Sequence, residues 1–300
     1  MTDVKAVPSS DAENRTAANS WRVLKFGGSS VATAAGWQRI AEAVRQAASE
    51  DRATVVIVSA LKGVTDRLDQ ELGRSNERSR PSERAVVAEL RERHARLAQS
   101  LGVEADLLEP LFGELADALR AQAAEPDDAR HVARVLGFGE LLGSRLGHAI
   151  LARLGVAVGW LDSREMLHAD PAALRNPRSR WLAAECTVSP DPEFAETLAA
   201  RGAAWIAPGF IARGENGDTV LLGRGGSDVS AALIGTRLGA ERVEIHSDVP
   251  GLFSADPRRI PAARLLKSVS YREAMELAAM GAKALHPRAL IPLKRHRIPL

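Results

Sequence analysis

The sequence has a single cysteine, few aromatic residues and no long apolar run, and each shortage excludes a class of protein. Cys186 is the single cysteine among 300 residues, so it cannot form an internal disulfide and is predicted to be a packed thiol. The lack of disulfides suits a reducing compartment, so the chain is predicted to be cytoplasmic. Aromatic residues make up 4% and the net charge is +2, which disfavours nucleic-acid binding. No segment approaches the roughly 18 apolar residues of a membrane span.

Metal-binding and targeting signals are also scarce. The seven histidines are scattered without metal-ligand spacing, so no metal site built from side chains is predicted. Residues 1–19 are polar and lack the apolar stretch of a signal peptide, which predicts a disordered arm. With 45% hydrophobic and 26% charged residues, the chain is expected to be a soluble globular protein with an ample core.

What the sequence does contain is a lysine in an apolar run that leads directly into two glycines, "VLKFGGSSV" at 23–31. The run predicts a buried strand and a helical pattern follows, so Gly27 and Gly28 occupy a strand-to-helix turn. Free amides at such a turn suit phosphate oxygens, and Lys25 adds positive charge. Only six of the forty basic residues are lysines, which favours a specific role for Lys25. The alternative is an ordinary tight turn with a snorkelling lysine.

A second glycine-rich turn, "GRGGSD" at 223–228, also joins an apolar strand to a helix. If that strand belongs to the same parallel sheet, both turns lie at its carboxyl edge, where ligands bind. Arg224 can present a bidentate fork to a carboxylate or phosphate. Asp228 can cap the following helix or orient a cation, and the residues alone leave both interpretations open.

Residues 135–150 predict a helix of unusual composition. Gly139, Gly143 and Gly147 recur at every fourth position. Each costs about 1 kcal/mol relative to alanine, which predicts close packing against a neighbour that offsets the cost. Glu140 lies among apolar residues without a cation four residues away. It is either on a solvated face or an acid that meets a ligand amine.

Along the whole chain, continuous apolar runs alternate with helical patterns, which predicts an α/β sandwich with a mainly parallel sheet. A capping box formed by Ser270 and Glu273 is predicted to begin a helix that Gly281 ends. The predicted strands after the first are 53–60, 156–160, 203–207, 219–222 and 242–247, and the later predicted helices are 227–239 and 271–280.

Six segments in this order resemble the aspartate kinases of the amino-acid kinase family: "KFGGSSV", "VVIVSA" with "GVTD", "FGELL", "GRGGSDVSAALIG", "SDVPGLFSADPR" and "GAKALHPRAL". The resemblance covers about residues 21–300. It implies a three-layer α/β/α sandwich with a mainly parallel central sheet. It also implies one kinase domain over 20–300, with an aspartate-binding lobe at about 20–210 and a nucleotide-binding lobe at about 211–300.

The resemblance assigns roles to individual residues. Lys25 and Asp228 match catalytic positions. The residues that match aspartate-binding positions are Ser59, Thr65, Glu140, Arg224 and Ser227. Those that match ATP-binding positions are Lys25, Gly27, Gly28, Ser30, Ser247, Asp248, Phe253, Arg258 and Lys283. Ser247 and Phe253 stand where threonine and tyrosine are expected, which puts one polar nucleotide contact in doubt.

The implied activity is transfer of the γ-phosphoryl group of ATP to the β-carboxylate of L-aspartate, the first step of lysine, threonine and methionine biosynthesis. A carboxylate is already an anion at neutral pH, so the transfer needs no general base. Mg²⁺ is expected to accompany ATP without assigned side-chain ligands, and the full-length protein is expected to be a homodimer. Residues 298–300 look like the start of another strand, so the chain is expected to continue into an ACT-type domain or a second enzyme.

Three alternatives compete with this interpretation. Acetylglutamate or glutamate kinases share the fold, but acetylglutamate lacks the free ammonium that Glu140 would bind. A dinucleotide oxidoreductase is disfavoured because neither glycine turn reads G-x-G-x-x-G. A silent regulatory domain is disfavoured because Lys25, Arg224 and Asp228 are all retained.

Overall fold

The computed structural model describes residues 20–73, 83–173, 176–247, 251–255, 259–279 and 286–300. Five of its strands form one sheet in the order β3-β4-β2-β1-β7, and every neighbouring pair is parallel. The seven strands are β1 Trp21–Phe26, β2 Ala53–Val58, β3 Gly159–Trp160, β4 Ala204–Pro208, β5 Ile211–Arg213, β6 Thr219–Leu221 and β7 Arg242–His246.

Helices connect the strands and cover both faces of the sheet. In the first half of the chain they are α1 Gly28–Val31, α2 Ala34–Ser49, α3 Val64–Glu71, α4 Glu83–Ser100, α5 Glu109–Ala124 and α6 Ala129–Arg153. In the second half they are α7 Ser163–Met166, α8 Pro177–Leu182, α9 Pro192–Arg201, α10 Gly226–Arg237, α11 Tyr271–Ala279 and α12 Pro287–His296. None of these helices is both long enough and apolar enough to cross a membrane.

Side chains that alternate along each central strand enter two separate cores. Leu24 and Phe26 of β1 pack with α2 and with the helices α3 to α6, whereas Val23 packs on the opposite face with α10 and α12. Both sets are buried, because parallel strands covered on two sides have no solvent face. The predicted three-layer α/β/α sandwich with a mainly parallel sheet is confirmed.

The carboxyl ends of four strands meet at one edge of the sheet. Phe26, the last residue of β1, lies beside Val58 of β2 and His246 of β7, and Val58 in turn lies beside Pro208 of β4. The loops that follow β4, β2, β1 and β7 therefore start side by side along this edge, each one strand spacing from the next. This edge is where ligands bind in open parallel sheets.

The prediction that the strand at 219–222 belongs to the parallel sheet is wrong. β6 pairs antiparallel with β5 in a separate two-stranded sheet. The turn "GENGD" at 214–218 joins them, and a short loop with glycines between two apolar runs is typical of a hairpin. β5 has only three residues, which is why its apolar pattern does not identify it.

The glycine repeat of α6 packs closely against other elements, as predicted. A Cβ atom placed on Gly139 would lie 2.9 Å from Ala60 Cβ, and one on Gly143 would lie 3.2 Å from the Ser59 carbonyl oxygen. A Cβ on Gly147 would collide with the Trp37 ring. The repeat thus lets α6 approach the loop that follows β2.

Other predictions have mixed outcomes. The capping box is present: Glu273 N–H donates to Ser270 Oγ at 3.3 Å and Ser270 N–H to Glu273 Oε2 at 2.7 Å. Cys186 packs partly buried against the second core, and burial raises the pKa of its thiol to about 12.

Residues 298–300 form no strand, although Val243 N–H donates to the Pro299 carbonyl. The predicted disordered arm at 1–19 and the predicted helix end at Gly281 lie outside the described residues.

Candidate active site

A cleft of about 380 Å³ opens at the carboxyl edge of the sheet. Eight of the predicted site residues line it: Lys25, Gly28, Ser59, Thr65, Glu140, Arg224, Ser227 and Asp228. These residues come from four separated segments of the sequence, so the fold, rather than local proximity, brings them together.

The first glycine turn forms one wall of the cleft. Gly27 is the N-cap residue of α1, and the amides of the following turn begin a helix. A Cβ atom on Gly28 would lie 2.8 Å from the Ala60 carbonyl oxygen, so only glycine fits there. The Lys62 N–H donates to the Gly28 carbonyl at 3.1 Å, which ties this turn to the loop after β2.

Lys25 and Asp228 form an ion pair across the cleft. Lys25 Nζ lies 2.6 Å from Asp228 Oδ1, and the two side chains are only 12% and 15% exposed. Asp228 lies in the first turn of α10, but the N-cap residue of that helix is Gly225, at φ +68°. The geometry therefore favours the cation-orienting role of Asp228 over the capping role.

The second glycine turn reaches the same edge although its strand lies outside the main sheet. Ser59 Oγ donates to Ser227 Oγ at 3.0 Å, which links the loop after β2 to the start of α10. A Cβ atom on Gly209 would lie 2.7 Å from Ser227 Cβ, so a glycine allows α10 to approach the end of β4. Close packing at Gly209 thus positions the second glycine turn at this edge, whereas strand pairing positions the first.

Glu140 is a buried acid without a cation. It is 4% exposed; its Oε1 accepts from the Ala60 N–H at 3.3 Å, and its Oε2 has no hydrogen-bond partner among the described residues. Burial raises the pKa of this carboxyl to about 8, because removing it from water disfavours the charged form. Thr65 Oγ1 lies against the neighbouring Gly139, 3.5 Å from a Cβ placed there. The solvated-face interpretation of Glu140 is therefore wrong.

Arg224 is exposed and makes no ion pair or side-chain hydrogen bond with any residue that the structure describes. It lines the cleft together with Glu140 and the Lys25–Asp228 pair. The cleft therefore contains an unengaged guanidinium and a buried acid that lacks a cation. A ligand that carries both a carboxylate and an ammonium satisfies these two groups together.

Several predicted ATP-binding residues are not part of the cleft wall. Gly27 and Ser30 belong to the first turn but do not line the cavity, and Ser247 directly follows β7. Phe253 pairs in an isolated antiparallel bridge with Leu265. Three further predicted residues lie outside the described residues: Asp248, Arg258 and Lys283.

Sequence reasoning missed two residues beside the second turn. Phe210 lines the cleft and has a positive φ of 66°, a rare backbone conformation for a non-glycine residue that often marks functional sites. His286 packs on Gly225, where a Cβ atom would lie 2.6 Å from His286 Cβ. Burial, followed by the charge of Arg288, lowers the pKa of His286. The sequence shows neither a positive φ nor a contact between residues sixty positions apart.

One group of side chains in the described ranges has metal-binding geometry. Glu125, Asp128 and His131 place their ligand atoms within 4.8 Å of one another at the start of α6, a grouping that histidine spacing alone does not reveal. Asp128 is already paired with Arg130 at 3.2 Å. None of these four residues lines the cleft.

The profile of the "Amino acid kinase family" matches residues 20–300. The chain therefore belongs to the amino acid kinase family.

Relatives within the family include aspartokinases. The chain is 33% identical over 279 residues to the aspartokinase of Chlamydia trachomatis, with 93% of this chain and 60% of that protein covered. It is 34% identical over 292 residues to the chloroplastic bifunctional aspartokinase/homoserine dehydrogenase 1 of Zea mays, which covers 93% of this chain and 30% of that protein. The crystal structure of E. coli aspartokinase III with aspartate and ADP, in the R-state, superposes with a TM-score of 0.76 at 32% identity, covering 92% of this chain and 60% of that one. The chain thus spans between 30% and 60% of the length of these relatives.

Proposed function

We propose that this chain transfers the γ-phosphoryl group of ATP to the β-carboxylate of L-aspartate, which yields ADP and 4-phospho-L-aspartate. The observation that carries the proposal is a cleft that combines Lys25, beside a glycine turn, with the buried acid Glu140, which has no cation partner among the described residues. The aspartate and ADP held by the E. coli relative support the same pair of substrates here. The reaction is the first step of lysine, threonine and methionine biosynthesis.

The two ends of aspartate have complementary partners in the cleft. Glu140 loses its proton when it binds the substrate ammonium, because a nearby positive charge favours the carboxylate form. Arg224 binds the α-carboxylate through two hydrogen bonds. With these groups held, the β-carboxylate extends towards the other wall residues that match aspartate-binding positions, Ser59, Thr65 and Ser227.

The transfer itself needs no proton movement. A lone pair of the β-carboxylate oxygen forms a bond to the γ-phosphorus, the bond from that phosphorus to the bridging oxygen breaks, and ADP leaves with the electron pair. Lys25 neutralises charge on the transferring group, and Asp228 orients the Lys25 ammonium through the 2.6 Å ion pair. The amides of Gly27 and Gly28 in the first glycine turn complete the phosphate site together with the Ser30 hydroxyl, because the Ser30 N–H already donates to the Gly27 carbonyl at 3.0 Å.

Nucleotide phosphates, rather than side chains, would hold Mg²⁺ in this cleft. Of the three described carboxylates of the wall, Asp228 is already paired with Lys25, Glu140 is buried with its pKa raised to about 8, and Asp66 is exposed in the first turn of α3, where it leaves room for one carboxylate contact beside the phosphates. Mg²⁺ commonly binds through substrate phosphates and water, with one or two carboxylates at most. When bound, it neutralises charge on the phosphates.

The experiment that tests the proposal is ADP formation by the purified protein with ATP and a panel of acceptors. We expect L-aspartate to stimulate ADP formation, and N-acetyl-L-aspartate and succinate to fail because neither presents an ammonium to Glu140. Stimulation by acetylated acceptors in place of aspartate would contradict the proposal. The cytoplasmic location and the homodimer of the full-length protein belong to this proposal as well, and light scattering tests the second.

A further inference from the structure

Lys62 lines the cleft but has no part in the chemistry described above. Its side chain is exposed, and it makes no ion pair or side-chain hydrogen bond with any residue in the described ranges. Lysine is scarce in this chain, with six lysines among forty basic residues, yet both Lys25 and Lys62 line this one cleft. An unpartnered lysine beside a proposed phosphate site requires an explanation.

The backbone of Lys62 is fixed against the first glycine turn. Its N–H donates to the Gly28 carbonyl at 3.1 Å, and its Cα would lie 3.3 Å from a Cβ atom placed on Gly28. The flexible four-carbon stem of lysine can therefore bring the ammonium over an anion that binds the amides of that turn.

The surroundings behind Lys62 are positively charged. A second cavity of about 570 Å³ shares Lys62 with the cleft and is also walled by Arg93 and Arg96. The Arg93 guanidinium packs on Gly63, where Nη2 would lie 3.3 Å from a Cβ atom. Asp66 lines both cavities and so does not distinguish them, whereas Arg93 and Arg96 line only the second cavity. Repulsion from these arginines disfavours placing the Lys62 ammonium there and favours the cleft side.

Besides Lys62, the described residues of the cleft offer little unengaged positive charge to the phosphates beyond that of Mg²⁺. The Lys25 ammonium is shared with Asp228, and Arg224 is assigned to the substrate carboxylate. A nucleoside triphosphate carries several negative charges, and its acceptor here is another anion. Bringing two anions together requires further positive charge at their meeting point.

We propose that Lys62 is a second phosphate-binding residue, whose ammonium contacts the terminal phosphate of the nucleoside triphosphate. The terminal phosphate is the expected contact because Ser59 and Thr65, which lie on the same segment as Lys62, belong to the proposed acceptor side of the cleft. The inference rests on the proposed function, since it assigns the nucleotide to the first glycine turn.

Nucleotide affinity of the full chain tests this role directly. Lys62→Met removes the charge and keeps most of the stem, Lys62→Arg keeps a charge, and Lys294→Met removes an exposed lysine outside the cleft as a control. With Mg²⁺ present, we expect calorimetry to show Lys62→Met weakening a β,γ-imido ATP analogue about tenfold, and ADP less than threefold. Lys62→Arg should recover part of the loss, and Lys294→Met should match the wild type.

Kinetics separate this inference from the proposed function. We expect the KM for ATP to rise about tenfold in Lys62→Met while the KM for aspartate stays within twofold. Three results for Lys62→Met would each overturn the role of Lys62. They are an affinity for the ATP analogue within twofold of the wild type, equal losses of affinity for the analogue and for ADP, and a rise confined to the KM for aspartate. If the wild type forms no aspartate-dependent ADP, the proposed function fails, yet the calorimetric comparison still decides whether Lys62 binds the terminal phosphate.

Discussion

Replacing Glu140 by Gln removes a buried carboxyl while keeping its shape and the oxygen that accepts from Ala60 N–H. Burial raises the pKa of Glu140 from 4.5 to about 8. Between pH 4.5 and about pH 8, the Glu140 carboxyl is therefore protonated in the folded protein and ionised in the unfolded chain. The contribution of Glu140 to the free energy of unfolding therefore falls as pH rises from about 4.5 to about 8. At pH 7 the unfavourable contribution is about 3 kcal/mol, as an upper value, at 1.36 kcal/mol per pH unit.

Urea unfolding between pH 4.5 and 8, without aspartate or ATP, measures how the contribution of Glu140 to the free energy of unfolding changes with pH. We expect Glu140→Gln to be more stable than the wild type at pH 7 to 8, with the difference vanishing near pH 4.5. Glu114→Gln, at an exposed position of α5, serves as the matched control and should show no such trend. Parallel stability profiles of Glu140→Gln and the wild type would refute the reasoning.

The same shift makes aspartate binding depend on pH. The ammonium of aspartate requires the carboxylate form of Glu140, so below pH 8 aspartate binding must release the carboxyl proton. The apparent affinity for aspartate should therefore fall about tenfold for each unit by which the pH is lowered below 8. Calorimetry at pH 7 in buffers of different ionisation enthalpy should detect release of nearly one proton per aspartate bound. Glu140→Gln should abolish this release and weaken aspartate binding, whereas aspartate binding without proton release in the wild type would contradict the assignment.

Three further substitutions test the surrounding architecture. Arg224→Lys should weaken aspartate about tenfold in calorimetry and leave ATP affinity unchanged, because a bidentate fork becomes a point charge; equal losses would exclude the role. Asp228→Asn should lower kcat about 100-fold while circular dichroism stays native, because Lys25 loses its charged partner; full turnover would show that Asp228 acts only structurally. Gly147→Ala should lower the free energy of unfolding by about 1–3 kcal/mol, because the added Cβ atom collides with Trp37. A Cβ atom on Gly113 has no neighbouring atom within 4 Å, so Gly113→Ala should raise the free energy of unfolding by up to about 1 kcal/mol. Equal effects of the two substitutions would refute the packing argument.

The layers of the fold are predictable because their signals are local. Continuous apolar runs identify β1, β2 and β4, since strands buried on both faces lack alternation. β7 reads RVEIH, and only Val243 in it is buried. The β5–β6 hairpin is not predictable in the same way. β5 spans only Ile211–Arg213, and the chain enters it from β4 through Phe210, whose positive φ of 66° cannot be predicted from an aromatic residue in the sequence.

Parts of the candidate site depend on long-range packing that no single segment encodes. The sequence leaves Glu140 ambiguous because residues 135–144 of α6 are all buried, so this stretch of the helix has no polar face that shows its orientation. A residue at a helix start suits either a cap or a cation, and for Asp228 the 2.6 Å approach of Lys25 favours the second role. The sequence does not indicate the role proposed for Lys62, because that role depends on the contact with Gly28.

The most direct test of the account is whether the cleft phosphorylates a carboxylate of aspartate. An acyl phosphate reacts with hydroxylamine to give a hydroxamate, so incubation with ATP, Mg²⁺, L-aspartate and hydroxylamine traps the product, and mass spectrometry identifies which carboxyl is modified. We expect β-aspartyl hydroxamate from the wild type in an amount matching ADP, and about 100-fold less from Lys25→Ala, which removes the charge beside the transferring group. ADP formation without hydroxamate, or undiminished hydroxamate from a folded Lys25→Ala protein, would contradict it.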